Sequence, residues 1–576
     1  MEEQSFSDTP EDSDIFSYPW PPEDIFLPEV TISAFTETGQ AETSIMVPRQ
    51  RGRKPVISSR LADTPCATLG IQGLLDQLNT TLGTSYSLDT PSLSSLLEDC
   101  ITNNYDFGMT HGRLRQIWYT DKWSTGVQHI LCKCEEKDRE MRQKALVGNQ
   151  IVNSWIKLRP RRVWDLCSNR VLPWWTMGRD NRILPISHAW MDEKDRVSVW
   201  TPINGYEWPV PIPRDANLDL ICIEMLNLGA EYTWLDVLCL RQVGGRGEDV
   251  CKEEWKLDVP TIGVVYQSLI EIGLTVVYYL SGLGQPCSLK EGDLNSDRSW
   301  FRRAWTLQEV SIIRVIAGDT PNGPLHVKPM DKDGNYETEL LTRFHKQLQS
   351  MGSVLSLTSV FAALKGMQNR VSANPLDKVA GLTFCLGCEM IPSYDETQSL
   401  EEAWTALVNS MHTANRGRLF SLYPEPGNAG TKWRPSWEQV MMTPLPDPED
   451  FPISLKHRNE MDEDWCYVEC IEKGLVQGLA IVEGVDQHGE LIVKDENRVE
   501  HVFDVIATHK YPIPKDVYTL IHTDPWGYPP LSSWVLGRRL SGKRFEKVSI
   551  LKVWDDRQRL IGPLRKIRER CQFILI

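Results

Sequence analysis

Ile183-Leu184-Pro185-Ile186-Ser187-His188-Ala189-Trp190 is a short apolar run that ends in polar and aromatic groups, and Ile183 to Ser187 reads as a buried strand. Downstream, Asp215 is placed to cap a helix through Leu218, Cys222, Met225 and Leu228 that Gly229 stops. Tyr232 to Leu238 reads as a second strand. Pro260 suits the first turn of another helix, with Ile262, Val265, Tyr266 and Leu269 on one face and Gly273 after its end. Thr275 to Leu280 is a third strand, Phe301 to Arg314 a helix, and Val315-Ile316-Ala317 a fourth strand. Strands alternating with helices predict an α/β fold: a mostly parallel sheet with right-handed crossovers and helices on both faces. Such sheets bind ligands beyond the carboxyl ends of their strands. Ser187 and His188 end the first strand, and Asp236 lies near the end of the second.

A second block, Ser299-Trp300-Phe301-Arg302-Arg303-Ala304-Trp305-Thr306-Leu307-Gln308-Glu309, carries aromatics, two adjacent arginines and one carboxylate. On a helix, Phe301, Trp305 and Glu309 would share one face. Glu309 is then either a functional carboxylate or one member of a structural ion pair with an arginine.

Three blocks in order, Ile183–Trp190, Tyr232-Thr233-Trp234-Leu235-Asp236-Val237-Leu238-Cys239-Leu240-Arg241-Gln242 and Ser299–Glu309, resemble the fungal heterokaryon incompatibility (HET) domain. The third block matches best. The first has His188 where the family usually has Tyr, and the second has Arg241 where it usually has Asp. The resemblance runs from Ile183 to Val315, less than a third of the chain. It implies a fungal protein of non-self recognition and regulated cell death, with a TIR/flavodoxin-like parallel sheet that self-associates. HET domains are thought to be distantly related to Toll/interleukin-1 receptor (TIR) domains, and in NAD-cleaving TIR domains a glutamate on the late helix is catalytic. That role falls here on Glu309. Ser187, His188, Trp190, Asp236, Arg303 and Trp305 become the substrate-binding candidates. NAD⁺ would be a substrate, and no cofactor is implied. Cleaving the nicotinamide–ribose bond builds an oxocarbenium-like ribose that a carboxylate stabilises. Nicotinamide leaves a pyridinium as a neutral molecule, so no general acid is needed. Asp236 either positions a ribose hydroxyl or accepts loop amides, and Ser187 either contacts substrate or simply ends its strand. The sequence offers His188 no partner for acyl transfer. The alternative within the same family is an interaction module without turnover.

At 576 residues, the chain has room for two to four domains. A net charge of −16 disfavours general nucleic-acid binding. The 14 cysteines follow no framework spacing, and the start lacks a basic segment followed by an apolar run, so free thiols in a reducing, intracellular and cytoplasmic setting are expected. The longest apolar stretch, Ile272 to Leu283, is too short to cross a bilayer.

Residues 1–47 hold eleven Asp or Glu and no Lys or Arg, so 1–62 reads as a disordered acidic tail with a basic patch at its end. The patch, Arg51-Gly52-Arg53-Lys54-Pro55, resembles an AT-hook and equally a nuclear-import signal. A nuclear DNA-associated factor is therefore a further alternative, with a flexible basic linker as the default. Residues 63–180 read as helical, 181–320 as the α/β domain, 321–445 as helical with a Pro- and Trp-rich loop over Leu419–Pro444, and 446–576 as a small β-rich domain.

Several signals are set aside. Gly537 to Arg544 nearly spells a phosphate-binding loop but lacks the final Ser/Thr and precedes strand-like residues, so it reads as a basic hairpin. Gly244-Gly245-Arg246-Gly247 opens no helix and reads as a plain loop. Cys385 with Cys388, and His129 with Cys132 and Cys134, are incomplete metal sets, so no metal is expected. Cys239 follows a buried strand and reads as packing.

Overall fold

The structure, a computed structural model, describes residues 31–35, 41–46, 56–119, 126–152, 158–178, 182–266, 275–311, 313–354, 360–388, 390–446, 453–458, 461–481, 487–495, 497–507, 509, 511–523, 531–554 and 568–576. Two compact units divide the chain, Met1–Leu355 and Ser356–Ile576.

The first unit is built on a six-stranded mixed sheet. Its strands are β1 (Arg162–Asp165), β2 (Arg170–Pro173), β3 (Ile183–His188), β4 (Tyr232–Trp234), β5 (Thr275–Tyr279) and β6 (Ile313–Ile316), in the spatial order β6-β5-β3-β4-β1-β2. Pairing is parallel from β6 through β5 and β3 to β4, with Tyr232 opposite Ile183 and Ser187 opposite Tyr278. The central strands are β-branched and aromatic and almost wholly buried, as parallel strands covered on both faces must be. Edge strand β6 is partly exposed.

The antiparallel hairpin β1–β2 extends this sheet beyond the parallel strands. Residues 162–173 therefore belong to the sheet, where the sequence was expected to be helical up to 180. The reason is tertiary. Trp164 and Val163 are buried, and Gly112 on the helix Phe107–Leu114 lets that helix lie close on the hairpin. A Cβ at Gly112 would stand 2.6 Å from Leu172 Cδ1. Ion pairs fasten the same contact: Arg115 donates to both Asp165 oxygens at 2.9 and 3.1 Å, and the buried Arg170 pairs with Asp106 at 2.9 Å, while it also reaches the half-exposed Asp63 at 2.6 Å.

Upstream, helices Cys66–Leu82, Leu93–Thr102, Phe107–Leu114 and Val127–Ala145 close over a core that includes Leu74, Leu78, Leu97 and Trp118. Within the stretch expected to be disordered, Thr31–Phe35 and Ala41–Met46 form an antiparallel pair. Val56 and Ile57 are buried, and the Ile57 amide donates to the Cys167 carbonyl at 3.0 Å, so the ordered fold begins before residue 62. Residues 1–30, 36–40 and 47–55, including Arg51, Gly52 and Arg53, lie outside the described residues.

Other expectations also change. The helix after residue 215 is Leu218–Asn227; Asn217, not Asp215, caps it by accepting from the Leu220 amide at 3.1 Å. The second strand stops at Trp234, because Asp236 opens a one-turn helix, Asp236–Cys239. The helix after Pro260 is described only as Gly263–Tyr266. The continuous helix expected over Phe301–Arg314 is replaced by two 3₁₀ turns, Trp300–Arg302 and Trp305–Leu307, with Arg303 extended between them. Side chains win here over helical spacing. The Thr306 hydroxyl donates to the Trp300 and Arg303 carbonyls at 2.7 and 2.8 Å, bonds that hold a tight turn instead of an i→i−4 ladder.

The second unit joins a helical part to a β-rich part. Helices Val360–Gln368, Leu400–Ser410, Thr413–Leu422 and Trp437–Met442 make up most of the former. Ser399 with Glu402 and Ser436 with Gln439 form capping boxes, so part of the expected Leu419–Pro444 loop is helix. The β part comprises β7 (Lys456–Arg458), β8 (Glu463–Gln477), β9 (Gln487–Lys494), β10 (Glu500–Ala507), β11 (Asp516–His522), β12 (Leu531–Arg539), β13 (Arg544–Trp554) and β14 (Glu569–Leu575). The order β8-β9-β10-β13-β12-β11 closes into a ring because β11 pairs back on β8; β14 pairs antiparallel with β8. Leu491, Phe503, Trp534 and Leu551 lie in its core. The phosphate-loop-like segment is a hairpin, β12 turning into β13 through Ser541–Lys543.

Candidate functional site

The polar members of the three sequence blocks meet at the carboxyl ends of β3 and β4. Ser187 is the next-to-last residue of β3, and its hydroxyl donates to Glu309 Oε2 at 2.5 Å. The same hydroxyl accepts from the Trp300 indole at 2.8 Å. Tyr278, opposite Ser187 on β5, fixes the Glu309 backbone: its hydroxyl donates to the Glu309 carbonyl at 2.9 Å and accepts from the Ser311 amide at 2.8 Å. Trp300 stands edge-on to Tyr278, with centroids 5.2 Å apart. The loop bearing Glu309 is thus pinned to two adjacent parallel strands without being helical. Ser187 is fully buried, and Glu309 is 8% exposed.

One residue on, His188 Nε2 bonds Asp236 Oδ1 at 2.8 Å. Asp236 Oδ2 accepts from the Trp190 indole at 2.8 Å, and Oδ1 also accepts from the Val237 amide at 2.7 Å. His188 and Trp190 stack with centroids 5.7 Å apart, and Arg196 lies over the Trp190 ring at 5.5 Å. Burial works against charge on His188, but the Asp236 carboxylate outweighs it and raises the imidazole above its ordinary value; Glu309 adds to the same direction. Burial likewise opposes charge on Asp236, and the His188, Trp190 and Val237 donors together hold its carboxyl below the usual range. Each member thus favours the charged form of the other.

Ser187, His188, Trp190, Asp236 and Glu309 are thus brought together. Asp236 supplies the partner for His188 that the sequence did not reveal. Arg303 and Trp305 flank the turn that carries Glu309, both half-buried, and the bonds above run through Trp300 instead of through them. Sequence reasoning missed Trp300 and Tyr278 as the groups that set Glu309. Trp300 was in plain sight within the quoted block, whereas Tyr278 is marked only by its place on a strand.

The geometry argues against acyl transfer. Ser187 gives its proton to Glu309, while the His188 ring nitrogens face Asp236 and, at 3.4 Å, the Ala189 carbonyl. Burial pushes the Cys239 thiol up to about 12, which leaves it as packing and not a nucleophile. Arg241, the departure in the second block, stacks on Trp208 at 5.0 Å and pairs with Glu207 at 2.7 Å. The adjoining glycine loop, expected to open no helix, does open one, Glu248–Asp258, with Gly247 at its N-cap, and a Cβ at Gly245 would lie 2.5 Å from the Glu207 carbonyl oxygen.

A cavity of about 880 Å³ lies away from this cluster, lined among others by Tyr105, Arg113, Arg162, Trp175 and Glu254. Arg162 is neutralised by a two-pronged pair with Glu254 at 2.8 and 2.9 Å. Size alone does not make it the chemical centre, and none of its lining residues belongs to the Ser187–Glu309 cluster. Among the described residues, no helix is long and apolar enough to cross a membrane. No family model matches the chain, and no curated protein or solved structure matches it either.

Proposed function

We propose that the first unit is a HET domain with a TIR-like, flavodoxin-type arrangement of its parallel strands, and that Glu309 is its catalytic carboxylate for cleavage of NAD⁺. The observation that carries this is the convergence of Glu309, Ser187, His188 and Asp236 at one sheet edge, from three blocks up to 122 residues apart in sequence. Glu309 would stabilise the oxocarbenium-like ribose as nicotinamide departs. Ser187, polarised by the Trp300 indole, fixes one oxygen of that carboxylate. His188, paired with Asp236, would border the substrate beside it. Arg303 and Trp305, on the same turn, would contact substrate, and self-association of the domain would complete the active form. The role implied is fungal non-self recognition and regulated cell death.

A second reading is favoured by one observation. Glu309 is nearly buried and hydrogen-bonded to a buried serine, which also suits a purely structural carboxylate in an interaction module. Glu309→Gln separates the two. Catalysis predicts a fall in nicotinamide release of ~10²-fold or more, with little change in stability. Nicotinamide release equal to wild type would refute catalysis by Glu309, and wild type that releases none even when self-associated would leave the interaction module.

A further inference from the structure

The cavity of about 880 Å³ lies wholly within the first unit, between the helix Phe107–Leu114, which brings Arg113, the helix Val127–Ala145, which brings Arg142, the end of β2 with Trp175 just after it, and the helix Glu248–Asp258, which brings Leu257. Its volume is that of a small-molecule site, roughly 300–1,000 Å³. The lining holds five arginines and six carboxylates, so the wall as a whole does not attract a polyanion. Four of the arginines are committed to the protein. Arg142 pairs with Asp138 at 2.9 Å, Arg161 with Asp258 at 2.7 Å, Arg162 with Glu254 at 2.8 Å and Arg139 with Glu135 at 3.6 Å. Arg113 is the exception. Among the described residues it pairs with no carboxylate and donates no hydrogen bond. Its guanidinium lies over the Tyr105 ring at 5.4 Å and over the Trp175 ring at 5.3 Å. Such contacts hold a cation in place without neutralising it.

We propose that this cavity binds a small organic acid, one carboxylate on an apolar body. The carboxylate is taken by the planar fork of Arg113, whose idle donors match two carboxylate oxygens. The apolar body lies against Met109, Pro173 and Trp175, which line the cavity beside it. The charge balance sets the class of ligand. One negative charge meets the one uncommitted arginine, whereas the further charges of a polyphosphate would lie among lining carboxylates such as Asp138, Glu253 and Glu254. None of the lining residues belongs to the Ser187–Glu309 cluster, so this ligand is separate from any substrate of that cluster. Bound between the helix Phe107–Leu114 and β2, it would stabilise the first unit by mass action.

The test titrates the full-length protein at pH 7 with 2-naphthoate and with octanoate, a ring and a chain bearing the same carboxylate, and with the neutral amide of each. Calorimetry should find one molecule of at least one acid per chain, bound more tightly than its amide, and the thermal midpoint should rise with it. Arg113→Met keeps an unbranched apolar stem against Tyr105 and Trp175 and removes the fork. It should weaken binding of the acid by ~10-fold or more, the scale of losing hydrogen bonds to a charged group, and leave binding of the amide unchanged. Arg113→Lys keeps the charge without the fork. It should bind the acid less tightly than wild type and still prefer it to the amide, which keeps the test decisive if the methionine variant misfolds. The proposal is overturned if wild type takes up neither acid, if it binds the acids no better than their amides, if pyrophosphate binds in their place more tightly, or if the Arg113 variants bind the acid as wild type does.

Discussion

Asp236→Asn removes one charge from a buried pair and leaves the side chain's shape. The structure gives its cost. Both Asp236 oxygens accept from N–H donors: Oδ1 from Val237 and His188, Oδ2 from Trp190. An asparagine amide can keep only one of those acceptors, so in its better orientation it presents an N–H to the Trp190 indole N–H. That loses one charge-assisted hydrogen bond and the ion pair with His188. A fully buried broken pair costs about 3–5 kcal/mol, but the Asp236 side chain is 21% exposed, which brings the expected loss to about 2–3 kcal/mol.

The pH dependence is the sharper readout. In the wild type, His188 is raised above its unfolded value near 6.5. Its contribution is complete below that value and is lost as pH rises through the folded value, so stability falls with pH above about 6.5. Asp236 is lowered, so its contribution is present above the unfolded value near 3.8 and is lost as pH falls through the folded value. The pair is fully effective between the two unfolded values. In Asp236→Asn, burial, the largest influence on His188, is no longer outweighed, and the folded imidazole drops below the unfolded value. The variant's stability then rises with pH up to about 6.5 and levels off above it, where the wild type's falls. Urea denaturation of both proteins at pH 6, 7 and 8 measures this, because the difference between them cancels the other histidines. NMR titration of the His188 ring checks the cause. Parallel stability profiles, or the same His188 titration in both proteins, would refute the reasoning.

Ser187→Ala strips the acceptor from the Trp300 indole and the donor from Glu309 at a fully buried position, and should cost about 1–3 kcal/mol by thermal denaturation. Lys547 is buried with its ammonium donating to the Phe420 and Tyr423 carbonyls at 2.8 and 2.6 Å, and burial pushes it down to about 7, Glu425 opposing. The folded state therefore binds fewer protons than the unfolded chain above pH 7, so denaturation should show stability rising by up to about 1.4 kcal/mol per pH unit between pH 7 and 10; Lys547→Met should abolish that slope.

The parallel core was legible because its strands are short, β-branched runs separated by capped or glycine-stopped helices. Residues 162–173 were not, since Arg161, Arg162 and two nearby tryptophans look like a basic helix face until Glu254 and Asp258, more than ninety residues away, are seen to neutralise the arginines. The block at Phe301 shows the opposite failure. Its spacing is helical, but Thr306 and Trp300 spend their polar groups on local carbonyls and on Ser187, which no periodicity registers. That Ser187, His188, Asp236 and Glu309 come together is what the three blocks in order suggested, whereas Tyr278 lies in none of them. The pairing within the site was not legible: that Ser187 belongs to Glu309 and His188 to Asp236 depends on β3 lying between β4 and β5, a fact of sheet order.

That pairing also decides how far Glu309→Gln can be trusted to isolate charge. The chain of donors has a fixed direction: the Trp300 indole can only donate, so Ser187 accepts from it and turns its own proton toward Glu309 Oε2. Glu309 therefore enters as an acceptor. A glutamine keeps that bond by placing its carbonyl oxygen toward Ser187 and its amide toward the position of Oε1. The opposite placement would set an N–H against a hydroxyl whose proton has no other direction, so the orientation is imposed. Substitution at Glu309 then removes a charge and leaves the chain intact, whereas substitution at Ser187 breaks the chain and leaves the charge. If Glu309 acts as a carboxylate on substrate, Glu309→Gln is the more damaging to turnover and Ser187→Ala the more damaging to stability; if its role is only to accept the Ser187 bond, Glu309→Gln changes neither and Ser187→Ala alone is destabilising.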